Sequence, residues 1–69
     1  MEKAPNGQVK PAVQLIGQDS NAMSIVARCS RAMRDAGWLP DEVAAFSEEA
    51  LSGDYNHVLQ TCMTFCDVN

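Results

Sequence analysis

The chain has 69 residues, 46% of them hydrophobic, and a net charge of -4. That length allows one domain with a thin core, burying only about 60% of its extended surface, and the hydrophobic share is too high for a disordered chain. No apolar run approaches the ~18 residues of a membrane span, and the opening MEKAPNGQVK carries no hydrophobic segment after its charges, so neither a signal peptide nor a membrane helix is expected and a cytoplasmic location is.

The first ten residues are polar and broken by Pro5, Asn6 and Gly7. With Pro11, which disfavours a helix running through residue 10, they read as a flexible tail over residues 1–12, ahead of a single helical domain over residues 13–69. Val13 to Gly17 is a short apolar run, an extended arm or one strand. A lone strand leaves backbone groups unpaired, and its one candidate partner is the C-terminal Phe65-Cys66-Asp67-Val68, which can either form a minimal two-stranded pairing or finish a helix.

Gly17 to Asn21 is a turn and cap cluster. After it comes the longest periodic segment of the chain. Ala22, Ile25, Val26, Cys29, Ala32, Met33 and Ala36 follow the steps of three and four of one helix face. Ser20 or Asn21 can cap its start by accepting from an orphan backbone N–H. Gly37 can end it in a left-handed conformation, which predicts about 15 helical residues. Ser24, Arg28, Arg31, Arg34 and Asp35 fall on or near the outer side, and Arg31 with Asp35 has the i,i+4 spacing of an ion pair.

Pro40 suits the first turn of a second helix, and Asp41 and Glu42 suit its positive end. Its inner face reads Val43, Ala44, Phe46, Ala50 and Leu51, with Ser47, Glu48 and Glu49 outward. Asp54 can cap a third helix running to about Phe65, with Tyr55, Val58, Leu59, Cys62, Phe65 and Cys66 inward. Three such stripes joined by short links predict a mainly α, three-helix domain with an extended N-terminal arm.

Three cysteines cannot complete a disulfide framework. Cys62 and Cys66 share a helix face at a spacing too wide for a bridge, and zinc sites need further ligands at recognisable spacing. Buried thiols and no metal or other cofactor are therefore expected. His57 beside Asp54 and Tyr55 has acid–base chemistry available, with Ser52 and Cys62 as the nearest nucleophile types. No catalytic motif surrounds them and a thin core leaves little room for a pocket, so no enzyme is expected. His57 reads instead as a surface residue or a partner for a local carbonyl.

Charge is unevenly spread. Residues 1–34 carry Lys3, Lys10, Arg28, Arg31 and Arg34 against Glu2 and Asp19, for +3, whereas residues 35–69 carry seven acids and no Lys or Arg, for -7. Arg28, Arg31 and Arg34 could meet nucleic acid. In a helix-turn-helix, however, the second helix enters the groove, and here that helix carries Asp41, Glu42, Glu48 and Glu49, which phosphates repel. An acidic surface fits a basic protein partner.

Four stretches of the chain, Leu15 to Ala22, Ala32 to Gly37, Glu49 to Tyr55 and Leu59 to Met63, resemble a group of short uncharacterised proteins encoded by bacteria, phages and mobile elements. The resemblance implies no activity, cofactor or catalytic residue, only a setting in which small acidic proteins inhibit or modify host proteins. The expected function is therefore a small acidic protein-binding module, an inhibitor or modulator of a larger, basic host protein. Trp38 reads first as a core residue and Tyr55 as a packed ring with a polar hydroxyl; where exposed they would be the module's aromatic anchors, with Asp41, Glu42, Glu48, Glu49 and Asp54 as its steering charges. The alternatives are nucleic-acid binding through the arginines and a homo-oligomer that uses one apolar stripe as its own interface.

Overall fold

A computed structural model describes residues 2–14 and 21–68 of the chain. Three helices, α1 (Ala22–Asp35), α2 (Pro40–Ala50) and α3 (Tyr55–Phe65), stand between two short strands, β1 (Ala12–Val13) and β2 (Asp67–Val68). The expected mainly α, three-helix domain forms, and the C-terminal segment does both things open to it: Phe65 ends α3, and Asp67–Val68 pairs with Ala12–Val13. The strands run parallel, Ala12 opposite Asp67 and Val13 opposite Val68. Parallel neighbours need a long crossover, and the three helices are that crossover. Residues 15–17 of the arm and residues 17–20 of the expected turn lie outside the described residues.

Each helix begins and ends for a local reason. Asn21 caps α1, its Oδ1 accepting from Met23 N at 2.8 Å. At the far end Gly37 adopts φ +93°, and its N–H donates to Arg34 O while Trp38 N–H donates to Met33 O. This double closure is a Schellman motif, and only a residue without Cβ enters that φ freely. Pro40 opens α2 without losing a bond, because its N–H would be an orphan. Glu42, three residues into the turn, reaches back to Leu39 N–H at 2.8 Å. Leu39 has no side-chain acceptor to reciprocate, so this is half of a capping box. Asp54 caps α3 by accepting from His57 N at 2.9 Å.

The inner faces meet in one core whose centre is Cys29, Met33, Phe46, Ala50, Val58, Cys62 and Cys66. Phe65 lies edge-on to both Phe46 (5.7 Å between centroids) and Trp38 (6.2 Å), the geometry that aromatic quadrupoles favour. Ser30 and Ser47 are hydrogen-bonded across α1 and α2 at 3.1 Å. Two residues read as inward on α2 are not: Ala44 and Leu51 are exposed. The core closes on the Val43, Phe46 and Ala50 edge of the helix, and the stripe is wider than three short helices cover.

Residues 2–12, read from the sequence as a tail, are folded onto the helices. Pro5-Asn6-Gly7 is a hairpin turn. Gly7 N–H donates to Ala4 O, Ala4 N–H donates to Gln8 O, Gly7 takes φ +88°, and Lys3 bridges Val9. This is the type I turn plus left-handed residue of a three-residue hairpin loop. Ala4 is buried at 5% exposure, and Gln8 Nε2 donates to Glu42 Oε1 at 2.8 Å.

Candidate functional site

The charged half of the chain does not form one acidic face. Among the described residues, Asp41, Glu42, Ala45, Phe46 and Glu49 of α2, Phe65 of α3, and Pro5 and Asn6 of the hairpin line a groove of about 510 Å³. The spacing explains it. Asp41, Ala45 and Glu49 are successive turns of one helix side, and Glu42, Phe46 and Glu49 follow beside them. The half-buried Phe65 ring gives the groove an aromatic floor, and the carboxylates rim it.

The rim acids are not equivalent. Glu42 already accepts from Gln8 and from the start of its own helix through Oε1. Glu49 Oε2 lies 2.9 Å from His57 Nε2 and accepts from Ser52 Oγ at 3.1 Å. Its carboxyl is held below the ordinary carboxylate range, first by the bond from His57 and then by Ser52. Asp41 is exposed, which leaves its carboxylate the most available of the three.

The other expected contact residues fall elsewhere. Trp38 is 4% exposed and donates Nε1–H to Val9 O at 3.1 Å. The structure therefore places it in the core, where it offers no surface to a partner. Tyr55, 43% exposed, opens α3 outside the groove. Asp54 is spent on its cap. Glu48 shares a helix side with Ala44 and Leu51. Sequence reading missed Pro5, Asn6, Ala45 and Phe65 as groove residues. Only Phe65, the last apolar residue of the third stripe, carried a signal.

The arginines also divide. Arg28 and Arg31 line a second groove with Ala12, Val13, Gln14 and Asp35, while Arg34 borders a third, between α1 and α2. Arg31 and Asp35 form no ion pair among the described residues, despite their spacing.

His57 satisfies a carbonyl. Its Nε2 lies 2.9 Å from both Glu49 O and Glu49 Oε2. Both are pure acceptors, so Nε2 carries the proton. The imidazole pKa is raised, chiefly by the Glu49 carboxylate. Ser52 Oγ is 3.4 Å from the same nitrogen and donates to Glu49 O at 2.7 Å. A serine triad needs hydroxyl and carboxylate on opposite ring nitrogens. Here everything converges on one, and the cluster staples the end of α2 to α3.

The three thiols are free and buried. Cys62 bonding lowers the Cys29 pKa, but Cys66 and burial outweigh it and push it up to about 12. Cys62 is raised as well, by its bond with Cys29 and then by burial. Cys29 and Cys62 thus stay protonated at neutral pH and pack as small hydrophobes. No group of three His, Cys, Asp or Glu among the described residues is arranged to hold a metal ion, and none of their helices is long and apolar enough to cross a membrane.

Comparison of the chain with protein-family models, with curated proteins and with solved structures finds no match.

Proposed function

We propose that the chain is a small protein-binding module whose contact site is the groove between α2, Phe65 and the N-terminal hairpin, and that the groove holds a lysine or arginine side chain of a larger protein. The observation that carries this reading is the placement of Asp41, Glu42 and Glu49 around an apolar slot floored by an accessible aromatic ring. A long basic side chain has that same division: an aliphatic stem that gains from burial and a cationic head that gains from carboxylates and from a ring face. Carboxylates at the rim also speed encounter with a positive surface. The module would modulate its partner by covering a basic patch that otherwise receives phosphates or other acids.

The test is a titration of the isotopically labelled protein with a short lysine- and arginine-containing peptide, followed by amide chemical shifts. Shifts should gather at Asn6, Asp41, Ala45 and Phe65 and weaken with added salt. Ala45→Lys, at an exposed position, should abolish them with the helical spectrum intact. Shifts confined to other faces, or unchanged by Ala45→Lys, would overturn the proposal.

A further inference from the structure

A different face of the molecule is apolar, open and unused by the groove just described. Met23, Ala27, Ser30 and Arg34 of α1 oppose Pro40, Ala44 and Ser47 of α2 and its C-cap Leu51 across a shallow channel of about 420 Å³. Met23 is 62% exposed and Leu51 is 43% exposed. Along the channel the side chains are small: Ala27 and Ala44 are exposed, and Ser30 and Ser47 satisfy each other. Small residues between two larger apolar ends let another helix pair approach closely, as in ridge-and-groove packing.

We infer that this face binds a second copy of the chain, forming a two-fold dimer in which two α1–α2 pairs make a four-helix bundle. Charge selects this occupant. The α1 edge of the channel carries Arg34, and the α2 edge carries Glu48, one turn from both Ala44 and Leu51. Neither charge has an ion-pair partner among the described residues. A face that is basic along one edge and acidic along the other complements itself, which an isologous interface requires. The Ser30–Ser47 bond sits near the middle of the channel, and α1 and α2 run antiparallel around it. A two-fold axis running along the channel, parallel to the helices, lays α1 of each copy on α2 of the other. Arg34 of one copy and Glu48 of the other then share an edge, about 7–8 Å apart along it by the helical rise and within reach of their long side chains, on both sides. A strongly basic or acidic partner would find one edge repulsive. The dimer also covers Ala44 and Leu51, whose spacing marks them for burial but which the single chain leaves in water.

The face is about 16 Å long, the length of an 11-residue helix, and two helices wide. That is below the roughly 800 Å² per partner of a standard interface, so the dimer is expected to dissociate on dilution from millimolar to low micromolar concentration. Sedimentation velocity on the full chain across that range should show the change from two-chain to one-chain species. Ala44→Lys should leave a monomer throughout, with circular dichroism unchanged because the position is exposed. Arg34→Glu or Glu48→Arg alone should weaken association at least tenfold, and the two together should restore it. Ala45→Lys, on the other side of α2, should leave it unchanged. A chain that stays monomeric at millimolar concentration overturns the inference. So does a dimer indifferent to Ala44→Lys, or a charge pair whose double reversal fails to restore association. Loss of peptide binding in Ala45→Lys with dimerisation intact separates this face from the acidic groove.

Discussion

Two links of equal length join the three helices, and they are held by opposite kinds of chemistry. Residues 36–39 between α1 and α2 are fixed by shape and apolar burial. Gly37 supplies the left-handed turn, and Trp38 drops its ring into the core against Phe65 and donates to Val9 O. Residues 51–54 between α2 and α3 are fixed by polar groups at the surface: Glu49, Ser52, Asp54 and His57. The first link ties the whole molecule together, because its tryptophan touches α3 and the hairpin at once. The second ties only its two neighbours, in water, where ion pairs contribute little. A thin-cored domain therefore joins α3 and the hairpin through one buried aromatic side chain and uses these charges for local order.

That contrast can be broken from either side. The largest effect should come from Trp38→Ala, which empties the core of its biggest side chain and orphans Val9 O. A loss of about 3–5 kcal/mol is expected, enough to unfold a domain of this size, with denaturant titration as the measurement. Trp38→Phe, which keeps most of the ring area and loses the Nε1 bond, should cost only about 1 kcal/mol of that from the bond.

Next come the glycines. A Cβ on Gly53 would lie 2.9 Å from His57 Cβ and Cγ, so Gly53→Ala should cost about 1–3 kcal/mol through overpacking. His57→Ala in the same chain should recover part of it by removing the ring. Gly37→Ala meets no atom and fails instead through its positive φ, at about 1 kcal/mol, with no rescue from His57→Ala. Thermal melts of the four variants test whether the two glycines are kept for these different reasons. Asp54→Ala should remove about 1 kcal/mol with the cap.

The smallest effect is the pH dependence of the polar link. His57 has a raised folded pKa, so its contribution is complete below the ordinary 6.5 and is lost as pH rises through the raised value. Glu49 has a lowered folded pKa, so its contribution is complete above the ordinary 4.5 and is lost as pH falls through the lowered value. The pair therefore contributes most between about 4.5 and 6.5. In His57→Gln the melting temperature should lose its decline above that window, whereas Trp38→Phe should keep it. A pH profile unaltered by His57→Gln would remove the staple as an energetic feature.

The sequence by itself determined the helices, because their causes are local. Asn21, Gly37, Pro40 and Asp54 mark boundaries through backbone conformation and caps, and the apolar steps of three and four mark the inner faces. The strand pairing was legible as a candidate because only one segment could satisfy Val13. His57 was legible as a partner for a nearby carbonyl.

Tertiary structure decided what those faces met. Tyr55, Trp38, Ala44 and Leu51 all sit at positions read as inward or as aromatic anchors, yet only Trp38 is buried. Periodicity gives the direction of a side chain but not the extent of its cover. The acids looked like one surface because they are adjacent in sequence. The helix period sends Asp41 and Glu49 to one side and Glu48 to the other, while Glu42, Glu49 and Asp54 are partly consumed by bonds within the fold. The groove itself needed the hairpin: Pro5 and Asn6 reach α2 only because Pro5-Asn6-Gly7 turns the chain back and Ala4 is buried. Contacts between residues so far apart in the chain leave no periodic trace, and the folded chain alone brings Asn6, Asp41 and Phe65 to one place.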